Sequence, residues 1–246
     1  MEIQQILEKT DHRPWNIPEH DWSYYQEWND AIFLHWQVEL EELKNFVPNN
    51  LEIDLFEGKP WVSIVVFKME KIRPRRLPSF SPISDFDEIN IRTYVKWKNI
   101  SAVYFLSIEA GKRISAMVSK KLSLLPYRYS KIKRNEISLD SENIRLKEKL
   151  KFDYEIQDNI SEKSSLEKWL TEKYALIQDS EKSLNFFEIH HLEWPLKEIN
   201  LKHLEFNYPR FKKLINRQPN LAHYSKGVKV IAWNKIDLRK TGNNSD

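Results

Sequence analysis

Residues Glu88-Ile89-Asn90-Ile91-Arg92-Thr93-Tyr94-Val95 alternate strictly between polar and apolar side chains. A two-residue period places Glu88, Asn90, Arg92 and Tyr94 on one face of a strand and Ile89, Ile91, Thr93 and Val95 on the other. If the polar row faces water it is an ordinary solvated face. If it faces inward, its charges need partners, because an unpaired buried charge is prohibitively costly. An acid, an amide, a guanidinium and a phenol in one interior row would form a ready-made binding site for a small molecule.

The rest of the chain predicts a mainly β (α+β) fold. Nine Trp, ten Tyr and twelve Phe in 246 residues suit strands and pocket linings. Strand patterns run over 21–38, 102–109, 174–177, 185–191 and 228–233, and 144–157 alternates apolar and charged positions. Residues 51–56 and 61–67 flank Glu57-Gly58 and predict a hairpin, its second strand apolar on both faces. Helical spacing covers 39–47, stopped by Pro48, and 112–124, closed by Pro126. Ser164 and Glu167 form a capping box before a third short helix. Pro74, Pro78 and Pro82 stiffen the loop that leads into the polar-striped strand. These elements predict one domain over 1–240, a curved or closed antiparallel sheet with peripheral helices, and a disordered tail over 241–246.

Composition removes several function classes. Without cysteine there are no disulfides, thiolate nucleophiles, Fe–S clusters or Cys-based zinc sites. Four glycines and no Gly-rich phosphate loop exclude a Rossmann or P-loop nucleotide site. The net charge of +3 argues against a dedicated nucleic-acid binder, and the basic runs 71–76 and 128–134 read as solvated faces. The first residues lack a signal-peptide layout and no stretch reaches membrane-span length, so a cytoplasmic location and no membrane partner are expected. No cofactor and no metal is expected, and a homo-oligomer is left open.

Further along, short phrases accumulate. They include His12-Arg13-Pro14-Trp15, Trp28-Asn29-Asp30 with His35-Trp36, Leu55-Phe56-Glu57-Gly58-Lys59-Pro60-Trp61, Ile72-Arg73-Pro74-Arg75 and the row from Glu88 to Val95. Leu125-Pro126-Tyr127, Leu170-Thr171-Glu172-Lys173-Tyr174 and Ile189-His190-His191 with Trp194-Pro195-Leu196 come next in order. Together they resemble the YqjF-like family of uncharacterised bacterial proteins. That resemblance implies an acetoacetate decarboxylase-like fold, a closed cone-shaped antiparallel β-barrel around a small cavity. Acetoacetate decarboxylases work through a Schiff-base lysine with glutamates and an arginine around the substrate. The resemblance puts Glu88 at an active-site glutamate and Arg92 beside it, but it puts Tyr127 at the Schiff-base position. A phenol cannot form an imine, so acetoacetate decarboxylation is not the expected reaction.

The candidate catalytic residues are therefore Glu88 as base or acceptor, Arg92 for a carboxylate or polarised oxygen, and Tyr127 as proton donor. Asn90, Tyr94, His35 and His190 are candidate ligand contacts. A competing reading makes the row a brace in which Glu88 and Arg92 neutralise each other. His190 and His191 point to opposite faces of a strand and cannot readily share a metal, leaving one inward histidine. His35 also fits a satisfied core position. Lys120-Lys121 reads as a solvated helix flank, and Arg13, Arg73 and Arg75 as ties from loops to carbonyls. The expected function is binding of an anionic or carbonyl-bearing metabolite. The alternatives are a lyase or hydrolase without imine chemistry, and a structural or partner-binding protein.

Overall fold

The computed structural model describes residues 2–180 and 183–241. Helix α1 (Ile3–Leu7) precedes β1 (Tyr24–Gln37), and α2 (Leu40–Leu43) runs into a 3-10 turn over Lys44–Phe46. Then come β2 (Glu52–Ile53), β3 (Trp61–Pro74), α3 (Ser81–Ser84), β4 (Phe86–Trp97), β5 (Ile100–Ala110), α4 (Arg113–Ser123) and β6 (Tyr127–Tyr129). The second half supplies β7 (Lys131–Arg134), β8 (Ser138–Asn143), β9 (Glu148–Asn159), α5 (Ser165–Thr171), β10 (Ala175–Asp179) and β11 (Leu184–His190). It ends with β12 (Leu196–Asn207), β13 (Leu221–Ala232), β14 (Ile236–Asp237) and α6 (Leu238–Thr241).

The expected mainly β architecture is present. Strands β11, β10, β5, β4, β3, β1 and β13 lie side by side, and β11 also pairs with β13 at Ile189↔Ala232 and His190↔Ile231. The hydrogen-bonded path thus returns on itself, and β12, β9, β8 and β7 extend it beyond β13. Pairing is antiparallel except where β5 runs parallel to β6 and to β10. The wholly antiparallel sheet expected from the sequence is corrected there. Helix α4 carries the chain from β5 back to the same end before β6, and such a crossover requires parallel partners.

β3 holds the centre because it is apolar on both faces. Val62, Ile64 and Val66 join Ile32, Leu34, Ile89 and Ile91 in the largest core cluster. Val65, Phe67 and Met69 of the opposite face join Phe33, Val228 and Val230 in a second cluster. Full burial of each such side chain contributes roughly 1.5–3 kcal/mol. The alternation of β4 is thereby resolved: its apolar set enters the first core, and its polar set is buried too, with Glu88 and Asn90 2% and Arg92 8% exposed.

The predicted hairpin does not form. Glu57 and Gly58 do adopt positive φ and close a Phe56↔Lys59 bridge. Pro60 then has no N–H for a continuing ladder, and β2 pairs instead with β4 at Glu52↔Lys96 and Ile53↔Val95. The strand expected from residue 144 begins at Glu148, after a turn with Lys147 at φ 55°. Most of the tail expected to be disordered, 242–246, lies outside the described residues, and Thr241 closes α6.

Candidate functional site

The ring of strands surrounds a cavity of about 620 Å³. Glu88, Asn90 and Arg92 line it from β4, and Tyr127 lines it from β6, held opposite β4 because β6 pairs with β5 at Ile108↔Tyr127. Most of the remaining wall is apolar, with Val65, Phe67 and Met69 from β3 and Phe105 from β5.

Glu88 is the chemical centre of this wall. Tyr127 donates from its hydroxyl to Oε2 at 2.7 Å, and Asn90 donates from Nδ2 to Oε1 at 3.2 Å. Burial pushes the Glu88 carboxyl up to about 7, against the pull of those two hydrogen bonds. Burial also pushes the Tyr127 phenol well above its ordinary value, reinforced by the Glu88 carboxylate, so Tyr127 is a donor at neutral pH.

Arg92 does not neutralise Glu88. Four residues along a strand separate their backbones by about 13 Å, and the Arg92 Nη2 instead donates to the Leu170 carbonyl at 3.1 Å. Its guanidinium lies 5.9 Å from the Phe33 ring and 5.8 Å from the Tyr94 ring, and no ion pair joins it to a carboxylate among the described residues. Arg92 Nε and Asn90 Oδ1 are buried without a hydrogen-bond partner. Two unsatisfied polar atoms on the same strand and cavity wall are unusual for a native interior.

The other predicted contacts stand away from the cavity lining. Tyr94 is fully buried, exchanges a hydrogen bond with Ser63 Oγ at 2.7 Å and donates to the Leu170 carbonyl at 2.9 Å. His35 is also fully buried, with Nδ1 2.6 Å from Ser63 Oγ. This chain braces α5 against β3 and β1. His190 places Nε2 2.8 Å from the Ile6 carbonyl, on the side of α1. Because neighbours on an extended chain face opposite ways, His191 takes the cavity side instead, beside Trp194 at 5.6 Å between ring centroids. Burial drives both imidazoles down to about 4. Arg13 behaves as the expected tie, donating to the Ile189 carbonyl at 2.7 Å and pairing with Glu188 at 2.7 Å.

Sequence reasoning left open which of the two histidines faces inward and named His190 where His191 lines the cavity, and it did not single out Lys173. Lys173 carries no local signal, since its surroundings come from distant segments. Burial pulls its ammonium down to about 7, opposed by Asp54. Its Nζ donates to Ser101 Oγ at 2.6 Å, lies 3.8 Å from Asp54 and sits 4.2 Å over the Trp169 ring. None of those three partners lines the cavity, so the amine is engaged elsewhere. Among the described residues no group of three or more His, Asp or Glu side chains is placed to hold a metal ion.

Residues 25–229 match DUF2071, the family described as an uncharacterized conserved protein. The chain belongs to this family. YqjF of Bacillus subtilis (strain 168) is 32% identical to it over 237 residues, 93% of this chain and 98% of that protein. The solved acetoacetate decarboxylase of Legionella pneumophila superposes on this DUF2071 chain with a TM-score of 0.60 at 12% identity, covering 97% of this chain and 98% of its own. The enduracididine biosynthesis enzyme MppR, solved with pyruvate, gives 0.59 at 8% identity over 92% and 93%. An acetoacetate decarboxylase-like enzyme from Sphingomonas wittichii RW1 gives 0.56 at 10% identity over 89% and 94%. These likenesses establish a shared acetoacetate decarboxylase-like fold for this DUF2071 chain.

Proposed function

We propose that this DUF2071 protein is a closed, cone-shaped β-barrel that binds an anionic or carbonyl-bearing small molecule in the cavity between Glu88 and Arg92. One observation carries the reading. A buried guanidinium lines a cavity of about 620 Å³ with its Nε unsatisfied and no carboxylate partner among the described residues. Buried charges are ordinarily paired, so an anionic or strongly polarised oxygen of a ligand is the complementary group. The volume lies in the usual range for small-molecule sites, and the balance of apolar wall with a few convergent polar groups matches them too.

A second reading rests on Glu88 and Tyr127. A carboxyl held near 7 exchanges protons efficiently at neutral pH. With Tyr127 donating to it, the pair fits acid–base work on a carbonyl compound, as in a lyase or hydrolase without an imine. The pyruvate complex of MppR supports carbonyl acids as the compounds to try first.

The test is a thermal-shift screen of the wild-type protein and Arg92→Leu against small carboxylates, β-keto acids and ketones. A ligand at about a hundred times its Kd adds roughly 2.7 kcal/mol of stability. Arg92→Leu leaves the Leu170 carbonyl its hydrogen bond from Tyr94, so the variant is expected to fold and to lose the response. A folded variant that responds like wild type rejects Arg92 as the anchor, and a flat wild-type response favours the bracing role of the polar row.

A further inference from the structure

The cavity reaches the surface where its lining residues are exposed, at Pro74, Pro78 and Phe80 of the β3–β4 loop and at Asn234. Helix α4 borders the same opening through Val118, Ser119 and Ser123. The two borders are joined: Ser115 Oγ donates to the Ile83 carbonyl at 2.8 Å, and Lys112 Nζ lies 3.5 Å from the Ser81 carbonyl.

Two properties set this rim apart. First, it displays large apolar side chains to water. Leu77 is 59% and Phe80 65% exposed on the loop, and Ile114 is 53%, Met117 66% and Leu124 48% exposed on or just after α4. Ile114, Met117 and Lys121 succeed one another at three- and four-residue spacing, so they share one helix face, and Leu124 follows at the helix's C-cap. Among the described side chains of α4 the buried ones, Ser115 and Ala116, lie on its other side, so this stripe is not a misplaced core. Second, the two segments that border the opening, 71–84 and 111–127, carry eight Lys and Arg and no Asp or Glu, with Lys71 and Arg75 paired to Glu27 and Asp21 of neighbouring segments. That asymmetry is local, since the chain as a whole carries 39 Lys and Arg against 36 Asp and Glu.

We propose that this rim is a docking surface for an anionic lipid bilayer, with Phe80, Ile114 and Met117 entering the headgroup region and Arg76, Lys120 and Lys121 resting on lipid phosphates. Exposed apolar residues flanked by Lys and Arg are the ordinary features of interfacial binding. Charge decides between the occupants. A second copy seated face to face would bring Lys120 and Lys121 against like charges, and a nucleic acid would leave Met117 and Phe80 without a role. The inference concerns attachment at the surface and does not span the membrane; no helix among the described residues is long and apolar enough to cross one. It departs from the sequence expectation of no membrane partner, and it stands whatever the cavity binds.

Docking in this orientation turns the cavity opening toward the bilayer. A ligand that partitions into lipid would then pass between membrane and cavity without crossing bulk water.

The experiment is co-sedimentation of the full protein with vesicles of phosphatidylcholine alone and of phosphatidylcholine mixed with phosphatidylglycerol. Binding to the anionic vesicles, at least about tenfold stronger than to the neutral ones and weakened by salt, is expected. Phe80→Asp with Met117→Asp is expected to abolish it. Lys120→Glu with Lys121→Glu is the second variant, on exposed positions that burden folding little. Ile144→Asp, also on an exposed residue but outside the rim, is expected to bind like wild type. Absence of binding to either vesicle, or undiminished binding by both rim variants, overturns the proposal. So does a solution dimer, seen by light scattering, that Phe80→Asp with Met117→Asp dissociates, since that assigns the face to a second copy.

Discussion

The Tyr127 hydroxyl donates to Oε2 of Glu88 across 2.7 Å, joining the short β6 to the central β4 at the cavity wall. The bond works against burial: it favours the charged carboxylate in a place that favours the neutral acid. Glu88 is therefore balanced near neutrality by two opposed effects, and removing one should move it in a known direction.

Tyr127→Phe removes the donor and keeps the ring. The Glu88 carboxyl is expected to rise further above 7, because a hydrogen bond to a charged acceptor is worth roughly 1.5–3 kcal/mol. Carboxyl-carbon NMR titration of the variant against wild type measures this, and a downward shift would contradict the arrangement.

Glu88 itself should cost stability at alkaline pH. Its carboxyl is raised from an ordinary 4.5 to about 7, so between those values the folded protein holds a proton that the unfolded chain releases. Its contribution is full below pH 4.5 and is lost as pH rises through 7. Glu88→Gln is expected to exceed wild type above pH 7 by on the order of 3 kcal/mol and to converge with it below pH 4.5. Denaturant melts at pH 4.5 and pH 8 compare the two directly.

The histidine pair carries the opposite sign. His190 and His191 fall from an ordinary 6.5 to about 4 through burial. The unfolded chain binds protons first, so their contribution is present above pH 6.5 and drains away as pH falls toward 4. His190 holds the Ile6 carbonyl at 2.8 Å and stacks with His12 at 5.5 Å between centroids. The residues around α1 and His12 are accordingly expected to lose hydrogen-exchange protection between pH 6.5 and 4 before β3 and β4 do. Uniform loss across all strands would refute that order.

Gly227 and Gly58 make a paired test of backbone strain. At Gly227, with φ +129°, an added Cβ would sit 2.4 Å from the Trp28 carbonyl oxygen and 2.8 Å from Asn29 Cα, both backbone atoms of the neighbouring β1. At Gly58, with φ +77°, it would meet nothing within 4 Å. Gly58→Ala is expected to cost about 1 kcal/mol and Gly227→Ala several times more, to about 3 kcal/mol or beyond, measured by urea unfolding. Equal losses would show that β1 yields to the intruding methyl.

What could be read in the sequence divides by range of interaction. The row on β4 and the cap of α5 depend on spacing within one segment, and both could be read. Asn90, Glu88 and Arg92 reach the cavity because alternation fixed their shared face. Tyr94 shares that face but lies beyond the cavity, at the level of α5, a position set by the packing of Leu170. The hairpin failed because Glu57-Gly58 specifies a turn but not the pairing of the next strand, and Pro60 ends the ladder. His190 and His191 could be assigned opposite faces but not an inside, which depends on where α1 packs. Lys173 gave no signal because Asp54 and Ser101 lie more than seventy residues away.

The ring of strands is sealed by the ladder pairs Ile189↔Ala232 and His190↔Ile231 and by the Trp233 backbone N–H donating to the Glu188 carbonyl at 3.0 Å. The segment from α1 to β1 lies across that seam, with Ile6 packed on Ile231 and Trp233, and the Trp233 indole donating to the His20 carbonyl. During synthesis α1 therefore meets Ile231 and Trp233 only once β13 has emerged, more than two hundred positions later. Such distant contacts bear their loop-closure entropy before any reward. The segment around α1 is a clasp over the seam, and a nascent chain halted short of β13 would leave it open.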